Sequence, residues 1–90
     1  LPPFRRALMD GFACRAAEIA SVPCLLQLAG EVAMGAASAG VLPPGGALRV
    51  PTGGMLPEGA DVVVPIEQAQ VTPDGRQVRI EAALTAGRHM

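Results

Sequence analysis

Ninety residues with a formal net charge of -1 make one small domain, and its core has to come from Val, Leu, Ile, Met and Ala, since half of the chain is hydrophobic but its aromatics are Phe4 and Phe12 alone. Seven basic residues, all arginine, are scattered among eight acids, which leaves no positive field and excludes nucleic acid as an expected partner. No apolar stretch approaches the roughly 20 residues that span a bilayer, because Gly, Pro or a charge interrupts each one, so no membrane partner and a cytoplasmic location are expected.

Nine prolines and eleven glycines break the chain so often that few windows can hold a helix of ordinary length. The predicted fold is therefore mainly β: a small irregular domain of short, bent strands and hairpins, with at most one short helix. Residues 1–90 read as a single domain. Leu1 in first place and the run Arg88-His89-Met90 after Gly87 predict a piece of a longer protein.

In chain order, no strand or helix is assigned within residues 1–13. Residues 15–21 are the helical candidate, since Ala16, Ala17 and Ala20 favour helix, while Pro23 limits it to at most two turns. Residues 24–33 alternate imperfectly through Leu26 and Leu28, and Gly30 predicts a bulge or kink in a strand. Residues 35–46 are rich in Ala, Gly and Ser, with Pro43-Pro44, and are expected to form a loop that buries little.

Leu48-Arg49-Val50 is a short apolar-polar-apolar strand, and Pro51, with no N–H to donate, marks its edge or end. After a turn-rich stretch at residues 52–61, Val62, Val63 and Val64 suit a pleated surface, with Pro65 marking an edge or bulge. Residues 68–72 and 77–82 flank Pro73-Asp74-Gly75 and predict a hairpin, Val78 and Ile80 facing one way and Gln77, Arg79 and Glu81 the other. Cys14 and Cys24, with one histidine, make no zinc pattern; two reduced, buried thiols are preferred over a disulfide.

Polar residues set in glycine and proline are where backbone and side chain meet a ligand together, and two such segments stand out, residues 1–13 and 50–61. Asp10 lies between Met9 and Gly11, flanked by Leu8 and Phe12, so its carboxylate needs a partner: a backbone donor, an arginine or a metal ion. An Asx-turn around Gly11 is the simpler account on the residues alone. Thr52, followed by Gly53-Gly54, fits either a plain turn or an anion-binding nest of hydroxyl and amides. Arg5 and Arg6 are either oxyanion contacts or solvated charges. No phosphate-loop lysine follows the glycines, and no nucleophile is spaced to pair with His89.

Leu1-Pro2-Pro3-Phe4 followed by Met9-Asp10-Gly11-Phe12-Ala13 resembles the leucine-proline-proline-phenylalanine and methionine-aspartate-glycine-tyrosine-alanine stretch of the molybdopterin molybdotransferases, the MoeA and gephyrin E-domain family. The run from Val50 through Thr52-Gly53, Leu56-Pro57 and Gly59-Ala60-Asp61 to Val64, with Glu67 beyond, is similar to a second stretch of the same family, in the same order. The resemblance implies a β-rich second domain of a multidomain homodimer, facing the molybdopterin-binding domain of the other subunit. It implies insertion of molybdate into adenylylated molybdopterin with a divalent cation, Mg2+, assisting. It also implies Asp10 and Thr52 as catalytic residues in the cleft, with Gly11, Gly53 and Gly54 against the substrate. Glu67 matches a family position without a derived role, and no metal ligand is assigned. Where the family has aspartate, asparagine, serine and alanine, this chain has Arg5, Arg6, Ala7 and Leu8. That departure leaves a second expectation beside the enzyme: a non-catalytic interaction or dimerisation module.

Overall fold

A computed structural model of the chain describes residues 5–36 and 38–90. Strands β1 (Gly11–Cys14), β2 (Cys24–Glu31), β3 (Gly46–Val50), β4 (Val62–Pro65), β5 (Ala69–Val71) and β6 (Gln77–Ile80) join in one sheet with the order β4-β1-β3-β2-β6-β5. Helix among the described residues amounts to two 3-10 turns, Ala16–Ile19 and Ile66–Gln68. The fold is mainly β, as its composition predicts.

The β4-β1-β3 part of the sheet is covered on both faces, and each face has its own apolar cluster. Ala13, Leu48, Val50 and Val63 point into one, together with Leu42, Leu56 and Ala60 from the connecting segments. Phe12, Cys14, Ala47, Val62 and Val64 point into the other, with Ile19, Leu26, Val78 and Ile80. Successive residues of a strand face opposite ways. Every residue of β1 and β4 is consequently buried, and neither strand shows the apolar-polar alternation of a half-exposed sheet.

That explains the strand the sequence reading missed. Gly11–Cys14 carries no polar side chain to mark an outer face, and β1 takes its identity from its neighbours, pairing antiparallel with β3 and with β4. Gly11 is required there: a Cβ on it would collide with the carbonyl of Val64 across the β1–β4 ladder.

The segment 35–46 was expected to bury little, and Leu42 corrects this, because its side chain is fully buried. The reason is topological. β2 and β3 run parallel, so the chain between them must return along the sheet, and such a crossover needs a long connection. The return is pinned by paired backbone bonds, Leu42 N to Glu58 O (2.8 Å) and Glu58 N to Gly40 O (2.8 Å). The 3-10 turn grips it from the other side: Arg15 donates to the carbonyls of Leu42 and Pro43, and Glu18 Oε2 accepts from Gly45 N.

Other expectations fare differently one by one. The bulge near Gly30 is present, as a register shift between Leu28 and Gly30 on β3. The hairpin of β5 and β6 forms, with Val78 and Ile80 inward and Arg79 outward. The helix of residues 15–21 shrinks to one 3-10 turn whose first amide, Ala16 N, donates to Asp61 Oδ1 (2.7 Å). Both cysteines are free thiols, Cys14 buried but Cys24 only half-buried. Burial pushes the Cys14 thiol up to about 12.

Residues 87–89 do have structural partners. Gly87 N donates to Asp61 O, Val63 N to Arg88 O and Leu8 N to His89 O, so the tail lies along β4 at the margin of the sheet. Leu1-Pro2-Pro3-Phe4 falls outside the described residues.

Candidate functional site

β1 and β3 are antiparallel with Gly11 opposite Val50, so the residue preceding β1 meets the turn that follows β3. At that corner Asp10 Oδ1 accepts two hydrogen bonds from one residue, from Thr52 N at 2.7 Å and from Thr52 Oγ1 at 2.9 Å. Both residues are exposed. The two segments singled out in the sequence thus converge on one pair of side chains.

The turn that presents Thr52 is closed by Gly54 N donating to Pro51 O (2.8 Å), and Gly53 occupies its left-handed position at φ +79°. Gly53 N in turn donates to Ala7 O at 2.7 Å. An anion nest at this place would need the amides of Thr52, Gly53 and Gly54, and all three are already spent on Asp10, Ala7 and Pro51. Gly11, buried beneath Val64, presents no surface of its own. Arg6 Nη1 donates to Gly53 O (3.0 Å), tying the turn to the N-terminal segment. Glu67 is exposed on the second 3-10 turn.

The Thr52 amide first, and its hydroxyl second, hold the Asp10 carboxyl below the ordinary 3.8, with a smaller contribution from the Arg49 cation. Asp10 is therefore ionised at neutral pH, and an ionised carboxylate only accepts. The Thr52 hydroxyl must then be the donor between them. Its proton is committed to Asp10, and what the corner offers outward is lone pairs: those of Thr52 Oγ1 and of Asp10 Oδ2. Such a corner suits a cation or an N–H or O–H donor, not a bare oxyanion.

In the sequence Arg49 is only the polar middle of an apolar-polar-apolar strand. The structure sets it directly opposite Phe12, its guanidinium carbon 5.6 Å from the ring centroid. Alternation along a strand was the available signal, but it needed β1 to be recognised as the partner.

A larger hollow of ≈ 660 Å³ lies between β2, β5 and β6, lined by residues that include Leu25, Val71 and Arg79. It contains neither Asp10 nor Thr52. The corner is the better candidate, because convergent polar groups rather than volume define a site of chemistry.

The architecture is that of a small β domain with two apolar clusters and one acceptor-rich corner. The family model for the MoeA N-terminal region (domain I and II) matches residues 1–90, and the chain belongs to that family. It is 34% identical over 94 residues to molybdopterin molybdenumtransferase 2 of Mycobacterium tuberculosis, matching 100% of this chain and 23% of that protein. To the molybdopterin molybdenumtransferase of Bacillus subtilis it is 40% identical over 74 residues, 78% of this chain and 17% of that one. A crystal structure of a molybdopterin biosynthesis MoeA protein from Pyrococcus horikoshii superposes with a TM-score of 0.86 at 33% identity, covering 98% of this chain and 23% of that chain. The chain thus spans about a quarter or less of the length of the relatives it matches.

Proposed function

We propose that this chain is the β-rich second domain of a molybdopterin molybdotransferase, and that the Asp10–Thr52 corner forms one wall of the active-site cleft. The parent protein takes adenylylated molybdopterin and molybdate, cleaves the adenylate and releases the pterin with molybdenum held by its dithiolene. The opposite wall comes from the molybdopterin-binding domain, supplied by the other subunit of a homodimer. One observation carries the reading: two motifs 42 positions apart in sequence meet through the double hydrogen bond from Thr52 to Asp10 Oδ1.

Mg2+ fits this corner only in part. Asp10 can give one carboxylate oxygen, and among the described residues no group of three or more His, Cys, Asp or Glu side chains gathers to hold an ion. Mg2+ commonly takes one or two carboxylates and completes its shell with substrate phosphates and water, so Asp10 would be a single ligand here. Bound there, the ion would supply neutralisation of phosphate charge. The chain's own contribution is to keep Asp10 ionised, to leave Oδ2 clear of the Thr52 bonds that Oδ1 takes, and to turn the Thr52 hydroxyl's lone pairs to a ligand.

The test is made in the full-length parent. Asp10→Asn keeps the shape but removes the charge, and Thr52→Ala removes the hydroxyl; each is expected to lower molybdenum insertion about tenfold or more, the scale of a lost charged hydrogen bond, with thermal unfolding little changed. An Asp10→Asn protein that unfolds readily while its folded fraction stays fully active would assign the pair to the turn alone.

A non-catalytic interaction module is the second reading, and Arg6 favours it. Standing where the family has asparagine, it binds Gly53 O and sets a cation one residue from Thr52. A parent sequence without a molybdopterin-binding domain downstream would decide for that reading.

A further inference from the structure

The acceptor-rich corner leaves the negative part of a ligand unaccounted for, and the same face of the sheet holds a guanidinium with no hydrogen bond or ion pair among the described residues. Asp10 and Phe12 are two residues apart and Arg49 is opposite Phe12, so Arg49 is the diagonal neighbour of Asp10 across the β1–β3 ladder. Its guanidinium rests on the Phe12 ring, which fixes the position of the group while leaving its N–H fork open. None of its five donors makes a hydrogen bond or ion pair among the described residues, although Glu31 is its register partner on β2. Beside it lies a depression of ≈ 300 Å³ lined by Leu28, Gly30, Glu31, Arg49 and Gly75.

We infer that Arg49 is an oxyanion-binding residue, whose open guanidinium fork takes a tetrahedral anion of the substrates while Asp10 and Thr52 take a cation or a hydrogen-bond donor beside it. A planar fork suits such an anion because two parallel N–H groups match two of its oxygens. The division of labour follows from the donor count: the corner presents lone pairs, and Arg49 presents only N–H groups. The anion is either the phosphate of the nucleotide part of the substrate or molybdate itself. This inference rests on the molybdotransferase reading for the identity of the anion, not for the existence of the site.

The experiment uses the full-length parent and two probes that need no turnover, AMP and inorganic molybdate, each titrated by calorimetry, alongside the KM of each substrate. Arg49→Met keeps the apolar stem over Phe12 and removes the fork; Arg49→Lys keeps the charge without the fork. The expected result is a loss of affinity of about tenfold or more for one probe in Arg49→Met, with a smaller loss in Arg49→Lys. Which probe responds identifies the anion: AMP for the phosphate, molybdate for the metal oxyanion. If Arg49→Met misfolds, Arg49→Lys decides by the same comparison. Affinities and KM values that stay within twofold of the unaltered protein for both probes overturn the inference. An inactive parent whose binding still depends on Arg49 would refute the enzymatic reading and leave this site standing. An active parent indifferent to Arg49 would do the reverse.

Discussion

Asp10 owes its chemistry to one neighbour. Two hydrogen bonds from Thr52 converge on a single carboxylate oxygen and lower the pKa of the group, although the side chain is exposed and water competes for it. Because the folded-state value lies below 3.8, the contact contributes to stability at pH above 3.8 and is lost as the pH falls through the folded value. Screening at an exposed site keeps that contribution small. Replacing Thr52 by Val removes the hydroxyl but not the amide, which is the larger of the two causes. A carbon-13 titration of the Asp10 carboxyl is therefore expected to show a partial rise in Thr52→Val, still short of the ordinary value. An unchanged titration would mean that the hydroxyl bond is not made in solution.

Elements in this fold depend on side chains delivered from outside the strands. The return between β2 and β3 is irregular, yet Leu42 sits fully buried in the same cluster as Val50 and Val63. Removing a buried leucine side chain costs its transfer energy and leaves a cavity, so Leu42→Ala should destabilise the domain by about 2–5 kcal/mol, measured by denaturant unfolding. A loss below about 1 kcal/mol would mean that the crossover is a dispensable strap. The composition of residues 35–46 pointed to a passive loop because one leucine among Ala, Gly and Ser carries no periodicity. Its role follows from the parallel pairing of β2 and β3, which no local pattern encodes. The β5–β6 hairpin is the opposite case: Val78 and Ile80 alternate with polar residues around Pro73-Asp74-Gly75, and the strands lie where that pattern puts them.

For the whole molecule, the corner is open to solvent and one-sided. A cleft encloses its substrate, and a single wall makes few of the contacts that enclosure gives. The 90-residue chain by itself is accordingly expected to show no molybdenum insertion when mixed with adenylylated molybdopterin, molybdate and Mg2+. Turnover by the purified chain would place a complete active site within these residues and refute the one-wall reading. Among the described residues no helix is long and apolar enough to cross a membrane.

Composition and punctuation alone determined that the fold would be β and helix minor, since proline and glycine act on φ and ψ locally and need no partner to act. The two motifs also marked Asp10 and Thr52 without any structure. Tertiary structure alone decided that β1 is a strand, because a segment buried on both faces carries no alternation and is defined by the ladders on either side of it. It also decided that Arg49 faces the same side as Asp10. That relation depends on the register between two strands, and a register shift of one residue would have turned the guanidinium to the other face.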